Sequence, residues 1–248
     1  MERHQPNKMK ASFVKIKGIS IALTICAVTL LSANSVRRAR VNPKDGLAYV
    51  WIPSGTYWTG CLQGDAQCIG WERTRAEIRI EEGFWIGQTE VTQAAYKKVM
   101  DAEPSSYHGA NLPVERVGWS DAMAYCNRIG MRLPTESEWE YAAYGGTTEL
   151  PKEPLNLIAW YDPNSNDTTH PVGTKLPNGF GVFDMLGNVW EWVSDVGTID
   201  VNGAIPNARV LKGGSFYNAA RDIRVADRLE TPADLRHRDI GFRCAGDN

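Results

Sequence analysis

Apolar residues are distributed along this chain in short groups, and no single helical or strand period continues for long. The spacing of apolar and turn-forming residues predicts short strands and brief helices joined by loops. One helix with an apolar face is expected over 89–100. Short strands are predicted in four segments: 47–60, broken by Pro53-Ser54-Gly55; 78–87, a strand pair ending in Phe84-Trp85-Ile86; 209–213; and 241–244.

Two further helices have clear boundary signals. Ser120 is a suitable N-cap for a helix over 121–129, which the following glycine would end. Thr135 and Glu138 form a capping box for a helix over 136–144, which is followed by two glycines. These two capped helices are the firmest secondary-structure predictions that the pattern supports.

The segment 170–195 shows neither the helical period nor the strand period. It contains closely spaced glycines and the pair Trp190 and Trp192. Glycine allows positive φ and close backbone approach, and indole rings supply apolar area without regular structure around them. We therefore expect a buried core built from loops. From residue 147 onward the chain is predicted to be mostly loop, which is typical of a functional or pinned segment.

Composition narrows the fold and the partners. With 248 residues, of which 43% are hydrophobic, the chain can bury one sizeable core. The 23 glycines, 13 prolines and nine tryptophans favour a loop-rich α+β fold over a helical bundle. The net charge of -2 comes from 27 basic and 29 acidic residues that are mixed along the chain, which argues against nucleic acid as a partner.

The N-terminus is predicted to be separate from the domain. Four lysines precede the apolar run 19–31, and small residues follow it, which is the order of an export signal. We interpret 1–35 as a signal peptide or an N-terminal membrane anchor, 36–46 as a linker and 47–248 as the domain, with translation starting at Met1 or Met9. A buried strand is the alternative for the apolar run. Export would make the protein periplasmic or secreted, with membrane contact only through this segment.

Export also changes the interpretation of the cysteines. Four lie outside the signal segment: Cys61, Cys68, Cys126 and Cys244. An even number in an oxidising compartment, without a CxxC pair, favours two disulfides over a metal site. The pairs Cys61–Cys68 and Cys126–Cys244 are the simplest arrangement. Two buried thiols with one accidental pair are the alternative.

Six motifs occur in a specific order: WIPSGTYWTG, QTEVTQAAYKKVM, LPVERVGWSDAMAYCNRIGMRLPTESEWEYAAYGG, PNGFGVFDMLGNVWEWVSD, LKGGSFYNAARDIRVADR and IGFRCA. Together they resemble the sulfatase-modifying factor family, which includes the formylglycine-generating enzymes. The resemblance covers 47–245. It implies a C-type-lectin-like α+β fold with short strands and two to three short helices, and it matches Cys126 and Cys244 to a family disulfide.

The resemblance also implies a structural calcium site in the GNVWEW block. The family ligands match the side chains of Asp184 and Glu191 and the backbone carbonyls of Gly187 and Val189. Oxygen ligands on a turn-rich segment suit a hard cation. The alternative is that Asp184 caps a turn and that Glu191 pairs with an arginine such as Arg224 or Arg243.

Copper is disfavoured as a cofactor. Formylglycine-generating enzymes bind Cu(I) through two cysteines after the GGS motif, and thiolates are the ligands that Cu(I) selects. Here the matching positions are Asn218 and Ile223. A non-haem iron site would need converging histidines, and the domain has only His108, His170 and His237 at distant positions.

The remaining family feature is a groove for a substrate peptide. Polar and arginine-rich side chains in such a groove suit a peptide or an anionic group. The alternative interpretation for Arg224 and Arg228 is a structural role. The groove residues implied by the match are Trp190, Ser215, Tyr217, Asn218, Arg221, Arg224 and Arg228.

Two functions of different class follow. By kinship the protein is an exported oxidoreductase of the formylglycine-generating type, which acts on a protein or peptide cysteine with a diverged metal site. The alternative is a non-catalytic, lectin-like module that binds a peptide or another ligand. In either case we expect a monomer with a protein or peptide partner. Because the copper ligands are absent, the sequence does not decide between an enzyme and a binding module.

Overall fold

The computed structural model describes residues 38–60, 75–147, 153–197 and 207–248. These residues all belong to one compact unit, Val36–Asn248. The predicted signal or anchor segment and the predicted Cys61–Cys68 disulfide lie outside the described residues. Among the described residues, no helix is both long enough and apolar enough to cross a membrane.

The fold is α+β, with short elements joined by long connections. The described strands are β1 (Ala39–Val41), β2 (Ala48–Ile52), β3 (Gly55–Thr59), β4 (Ala76–Ile80), β5 (Phe84–Gly87), β6 (Trp190–Val196), β7 (Ala208–Lys212), β8 (Arg228–Pro232), β9 (Ile240–Gly241) and β10 (Ala245–Gly246). The described helices are α1 (Gln93–Met100), α2 (Trp119–Arg128), α3 (Glu136–Tyr144) and the single turns α4 (Leu155–Ile158) and α5 (Asp162–Ser165), with a 3-10 turn at Ala220–Asp222. The three longer helices and the low content of regular structure agree with the predicted fold class.

Three sheets organise these strands. One has the order β1-β2-β5-β10 and is antiparallel throughout, β3 pairs with β4, and the third has the order β8-β7-β6-β9. β6 is antiparallel to β7 and parallel to β9. The segment 36–46, predicted to be a linker, contains β1, which pairs with β2 from Ala39 opposite Val50 to Val41 opposite Ala48.

Two strand predictions need correction. The strands predicted as a pair over 78–87 belong to different sheets, because β4 pairs with β3 and β5 pairs with β2. The strand predicted over 241–244 is divided: β9 pairs with β6, and β10 pairs with β5. The chain therefore passes from one sheet to another at 242–244, and this passage turns Arg243 into the interior, where it is fully buried.

The helix boundaries follow local capping. Thr135 and Glu138 make the predicted capping box at the start of α3, and Gly145 ends the helix with φ 63°. α2 begins earlier than predicted, because Oδ2 of Asp121 accepts a hydrogen bond from the N–H of Gly118 at 3.0 Å. Ser120 therefore lies inside α2 and is not its N-cap. α1 begins after Thr92, which caps it by accepting from the N–H of Ala95.

The core contains large aromatic side chains from loops as well as from helices. Trp139 and Trp192 are both fully buried. The indole N–H of Trp192 donates to the carbonyl of Val117 at 2.9 Å. Cys126 of α2 and Cys244 form a disulfide with a Cα–Cα distance of 5.6 Å. This bond joins α2 to the passage between β9 and β10.

Candidate functional site

A two-glycine turn after β7 places Ser215 in the interior. Gly213 and Gly214 have φ of 94° and 73°, a region that favours glycine. A Cβ on Gly214 would lie 2.5 Å from Cδ1 of Ile223. The turn therefore packs directly against Ile223, and it leaves Ser215 fully buried.

The Ser215 hydroxyl begins a chain of polar contacts that leads to the surface. Its Oγ lies 2.7 Å from Oδ1 of Asn218 and 3.1 Å from Oδ2 of Asp239, and its one proton can be donated to only one of them at a time. Oδ1 of Asp239 contacts Nδ1 of His237, a side chain that is about half exposed. Sequence reasoning included Ser215 and Asn218 but missed Asp239 and this role of His237.

Asn218 and Ile223, the positions matched to the copper-binding cysteines, have structural contacts of their own. Oδ1 of Asn218 also accepts from the N–H of Ser215 at 2.9 Å, so its amide supports the turn. Ile223 is 3% exposed and belongs to a hydrophobic cluster that includes Met185 and Val225. Neither an amide nor an aliphatic side chain is a ligand for Cu(I).

The arginines of the predicted groove divide into outward and inward groups. Arg221 has a side chain that is 74% exposed, and Nε of Arg224 donates to the carbonyl of Arg221 at 2.7 Å. Arg228 lies mostly inside, with Nε 3.0 Å from Oε1 of Glu136 and a second contact to Glu230. These contacts favour a structural role for Arg228 over a role in the groove. Arg221 remains accessible to a ligand.

Aromatic and cationic side chains come together around Tyr217. Tyr217 is 59% exposed, and the guanidinium of Arg238 lies 5.4 Å from its ring centroid and 5.7 Å from that of Phe216. Arg238 also donates to Oη of Tyr107 at 2.9 Å and to Asp167 at 3.1 Å. We call Tyr107, Tyr217 and Arg238 the Tyr217 surface, and the fully buried ring of Phe216 packs beneath it. Trp190, predicted at the groove floor, is buried at 5% exposure.

Glu191, a predicted calcium ligand, pairs with Arg243 in the interior. Its two carboxylate oxygens lie 2.7 Å from Nε and from Nη2 of Arg243. Oε2 also accepts from the indole N–H of Trp139 at 2.8 Å. Both side chains are at most 1% exposed. This is the arginine pairing that the sequence left open, and it joins β6, α3 and the C-terminal passage.

Asp184 and Glu90 lie next to that pair and are less well satisfied. Oδ2 of Asp184 accepts from the N–H of Gly173 at 2.6 Å, and Oε1 of Glu90 accepts from Nδ2 of Asn188 at 2.9 Å. The other oxygen of each carboxyl is buried without a hydrogen-bond partner among the residues that the structure describes. Burial, and then the Asp184 carboxylate, raise the pKa of Glu90 well above its ordinary value.

The two unpartnered carboxyl oxygens have the chemistry of ligands for a hard cation. A buried carboxylate oxygen without a donor is the kind of atom that such a cation would satisfy. Across the described ranges, no group of three or more His, Cys, Asp or Glu side chains is arranged to hold a metal ion. The predicted set relies on backbone carbonyls as well, at Gly187 and Val189, so a calcium site here would depend on both kinds of oxygen.

His170 and His237 have different surroundings. His170 stacks on Trp160 with ring centroids 3.7 Å apart, and its Nε2 lies 2.8 Å from the carbonyl of Ser165. The side chain of His237 faces Asp239 instead.

Comparison with known proteins defines the class. The family model described as "Sulfatase-modifying factor enzyme 1-like domain" matches residues 35–248. The chain is 37% identical over 175 residues to the formylglycine-generating enzyme of Mus musculus, which covers 59% of this chain and 47% of that protein. It is 34% identical over 220 residues to the inactive C-alpha-formylglycine-generating enzyme 2 of Mus musculus, covering 74% of this chain and 67% of that protein.

A solved structure supports the fold. The chain resembles Treponema denticola variable protein 1 with a TM-score of 0.72 and 26% identity, over 86% of this chain and 99% of that one. The protein therefore belongs to the sulfatase-modifying factor family and has its C-type-lectin-like fold. It spans about half the length of the mouse formylglycine-generating enzyme that it matches.

Proposed function

We propose that this protein is an exported binding member of the formylglycine-generating enzyme family, which holds a peptide or protein segment at the Tyr217 surface and does not oxidise cysteine with copper. The observation that supports this most strongly is that Asn218 and Ile223 occupy the positions matched to the copper-binding cysteines. Asn218 supports the Ser215 turn and Ile223 fills the core. Both positions that would hold copper in the related enzymes therefore have a packing role here.

The Tyr217 surface supports recognition. An exposed tyrosine offers a large contact area at low entropic cost, because it has few rotatable bonds. Arg238 contacts Tyr217 from one side and is itself held by Tyr107 and Asp167. Arg221, four residues after Tyr217 in the sequence, is exposed and can donate charge-assisted hydrogen bonds to carboxylates of a ligand. These features suit a peptide that combines an apolar or aromatic side chain with an acidic group.

Kinship favours a second candidate, oxidation of a protein or peptide cysteine with a diverged metal site. The identity of 37% to a formylglycine-generating enzyme is the observation behind it. A relative of similar identity is named inactive, so kinship is compatible with both candidates. The chemistry of the site must separate them.

A copper and peptide experiment separates the two candidates. The full-length protein is titrated anaerobically with Cu(I) against a competing chelator, and oxygen consumption and peptide mass are then followed with a cysteine-containing sulfatase peptide. We expect no tight Cu(I) binding and no change in peptide mass. Tight binding together with the mass loss of a thiol that becomes an aldehyde would refute the proposal. The double variant Asn218→Cys, Ile223→Cys is the positive control, and it should gain Cu(I) affinity.

Binding is tested on the same peptide, with serine replacing its cysteine. We expect Tyr217→Ala to weaken binding by about fivefold or more, as loss of a central aromatic contact does. Val41→Ala is the matched control, because Val41 is 64% exposed on β1 of another sheet. Equal binding by wild type and Tyr217→Ala would show that this surface does not hold the peptide.

Export is tested by expression from Met1 and from Met9, followed by cell fractionation and mass spectrometry of the N-terminus. The basic, apolar and small-residue order of 1–35 supports an extracytoplasmic product. Recovery of the uncleaved chain in the cytoplasm alone would refute export.

A further inference from the structure

Two arginines lie at the open edge of the sheet that contains β1. β1 is the outer strand in the order β1-β2-β5-β10, and all of its residues are exposed. Arg38 precedes the strand and Arg40 lies within it. Their guanidinium carbons lie 5.9 and 4.2 Å from the ring centroid of Trp85. An edge strand leaves one row of its backbone groups unpaired, so this edge is accessible to a partner.

The hydrogen-bond donors of these two arginines are not used within the described part of the chain. There, neither side chain forms a hydrogen bond or an ion pair, and the contacts that they make are with the rings of Trp51 and Trp85. A cation–π contact positions a guanidinium without providing an acceptor oxygen for its N–H groups. Arg38 and Arg40 can therefore donate to the oxygens of an anionic group from outside the chain.

Three more cationic side chains lie beside the loop that follows β1, and all three are exposed. Nζ of Lys44 donates to the carbonyl of Arg128 at 2.9 Å. Nζ of Lys98 donates to the carbonyl of Pro43 at 3.4 Å, and Nη1 of Arg128 donates to the carbonyl of Val99 at 3.1 Å. These contacts join the loop after β1 to the ends of α1 and α2. The cations are thus held together by backbone carbonyls.

The strand register places the arginines on the side of the sheet that α1 and α2 cover. Arg40 is opposite Tyr49, and residues directly opposite one another point to the same face of a sheet. Tyr49 and Trp85 pack in one hydrophobic cluster with Tyr96 of α1 and Tyr125 of α2. Arg40 therefore lies at the edge of this layer, next to the loop and helix ends that carry the other cations.

The acidic side chains of the same segments do not balance this charge. Asp45 is buried, and its carboxylate accepts from two tyrosine hydroxyls at 2.8 and 3.2 Å. Glu103 pairs with Lys97 at 3.0 Å. Asp101, the C-cap of α1, is exposed. Five cations without a carboxylate partner among the described residues outnumber this one exposed acid, so the surface is positively charged.

We propose that this positive surface docks on a membrane that contains anionic phospholipids. Each cation near such a membrane contributes about fivefold in affinity. Val41 is 64% exposed on β1 and adds an apolar contact. We call the five cations the β1 surface: Arg38, Arg40, Lys44, Lys98 and Arg128.

The position of this surface in the sequence supports a membrane as the partner. The apolar run 19–31 ends seven residues before Arg38. A chain anchored through that run would hold the β1 surface close to the headgroups. The membrane contact that the sequence assigns to 1–35 alone then extends to the domain. This inference does not depend on the proposed peptide-binding function.

The N-terminal segment and the β1 surface respond differently to lipid charge. An apolar segment enters neutral and anionic membranes alike, because hydrophobic burial drives its insertion. Attraction by clustered cations requires anionic lipid and weakens with salt. A second copy of the chain, or an acidic protein, at the same edge would need no lipid. The response to lipid charge therefore identifies the partner.

Hydrogen–deuterium exchange measures this docking in full-length protein assembled into nanodiscs. One set of discs contains phosphatidylcholine alone, and the other contains about 30% phosphatidylglycerol as well. We expect the amides of 38–46 to exchange at least about fivefold more slowly in the anionic discs. This protection should disappear at about 0.5 M NaCl. The amides of α3 report on folding and should exchange equally in both.

The double variant Arg38→Glu, Arg40→Glu tests the β1 surface itself. At about fivefold for each cation, docking should weaken by about 25-fold or more, so 38–46 should exchange in anionic discs as it does in neutral ones. The matched control is Arg75→Glu, Arg79→Glu. Arg75 also lies over an indole, 4.5 Å from the ring centroid of Trp58, but this pair of arginines is at β4 in another sheet. The control should keep the protection.

Three results would overturn the inference: equal exchange of 38–46 in the two kinds of disc, equal protection without lipid, or protection that persists in the Arg38 and Arg40 variant. If that variant does not fold, Lys44→Glu, Lys98→Glu replaces it. This second variant removes two other cations of the surface, and it should lose the protection in the same way.

Discussion

The buried ion pair between Lys212 and Glu140 allows a quantitative test of how this loop-rich fold is stabilised. Nζ of Lys212 lies 2.8 Å from Oε1 of Glu140, and the two side chains are 0% and 4% exposed. The Lys212→Met variant keeps an unbranched stem and removes the charge. Glu140 cannot turn to solvent, because its other oxygen accepts from the hydroxyls of Tyr57 and Thr59 at 3.0 and 2.7 Å.

The expected loss is large, because the variant leaves a buried carboxylate without its cation. Removing one partner of a buried pair costs about 3–5 kcal/mol. For a protein of this size, each kcal/mol lowers Tm by about 2–4 °C, so we expect a decrease of roughly 6–20 °C. Glu136, 3.6 Å from Lys212, retains Arg228 as a second partner. The cost therefore arises mainly at Glu140.

The dependence on pH has opposite sign in the two proteins. In wild type, burial alone would raise the pKa of Glu140, but Lys212 and the hydroxyl contacts lower it below 4.5. Its stabilising contribution is then present above the unfolded pKa and is lost as the pH falls through the folded pKa. In Lys212→Met burial dominates and raises that pKa. The deficit of the variant should therefore shrink as the pH falls from 8 to 5.

Urea unfolding followed by tryptophan fluorescence at pH 8 and at pH 5 measures both effects. Lys97→Met is the matched control, because Lys97 and Glu103 form an exposed pair, 57% and 65% exposed, whose loss should cost at most about 1 kcal/mol. The double variant Lys212→Met, Glu140→Gln should recover part of the loss. A loss for Lys212→Met as small as the control, or a deficit that grows toward pH 5, would refute the reasoning.

Two more predictions concern the turn at Gly187 and the disulfide. In excess EDTA, Gly187→Ala should lower the free energy of unfolding by about 3 kcal/mol or more, because its φ is 77° and the added Cβ would lie 2.1 Å from the carbonyl oxygen of Trp160. Gly130→Ala, with φ 79° but no atom closer than 3.9 Å, should cost about 1 kcal/mol, and equal losses in denaturant titrations would contradict the packing argument. Reduction of the Cys126–Cys244 disulfide, which spans 118 residues, should cost about 2–5 kcal/mol, and an unchanged Tm in reductant would count against its contribution.

Local signals predicted the parts of the fold that depend on neighbours in sequence. The capping box of Thr135 and Glu138 and the terminal Gly145 define α3 within one short segment, and its predicted bounds agree with the structure. The predicted start of α2, with Ser120 as the N-cap, was wrong, because the helix begins at Trp119 with Gly118 as its N-cap. The choice is made by Asp121, which reaches back to Gly118. This contact spans three residues only, so the acidic side chain at position 121 was the local signal for the earlier start.

Long-range contacts explain what the sequence could not predict. Glu90 meets Asn188 from 98 residues away, and Arg238 meets Tyr107 from 131 residues away. Neither pairing has a spacing signal, because the loops that bring them together have no period. Long-range pairing also explains the divided strand at the C-terminus, because β9 pairs with β6 and β10 pairs with β5. The pairing of Glu191 with Arg243 was among the alternatives, and only the fold could choose it.

Two buried ion pairs stabilise the fold away from the positions matched to the copper ligands. The pairs Glu191–Arg243 and Lys212–Glu140 lie in the interior, and both carboxylate oxygens of Glu191 accept from Arg243. Ile223 contributes apolar burial where a thiolate would contribute a ligand. Ile223 takes part in neither ion pair. A chain with Ile223 at this position can therefore keep the fold without a copper ligand there, because the isoleucine packs into the core.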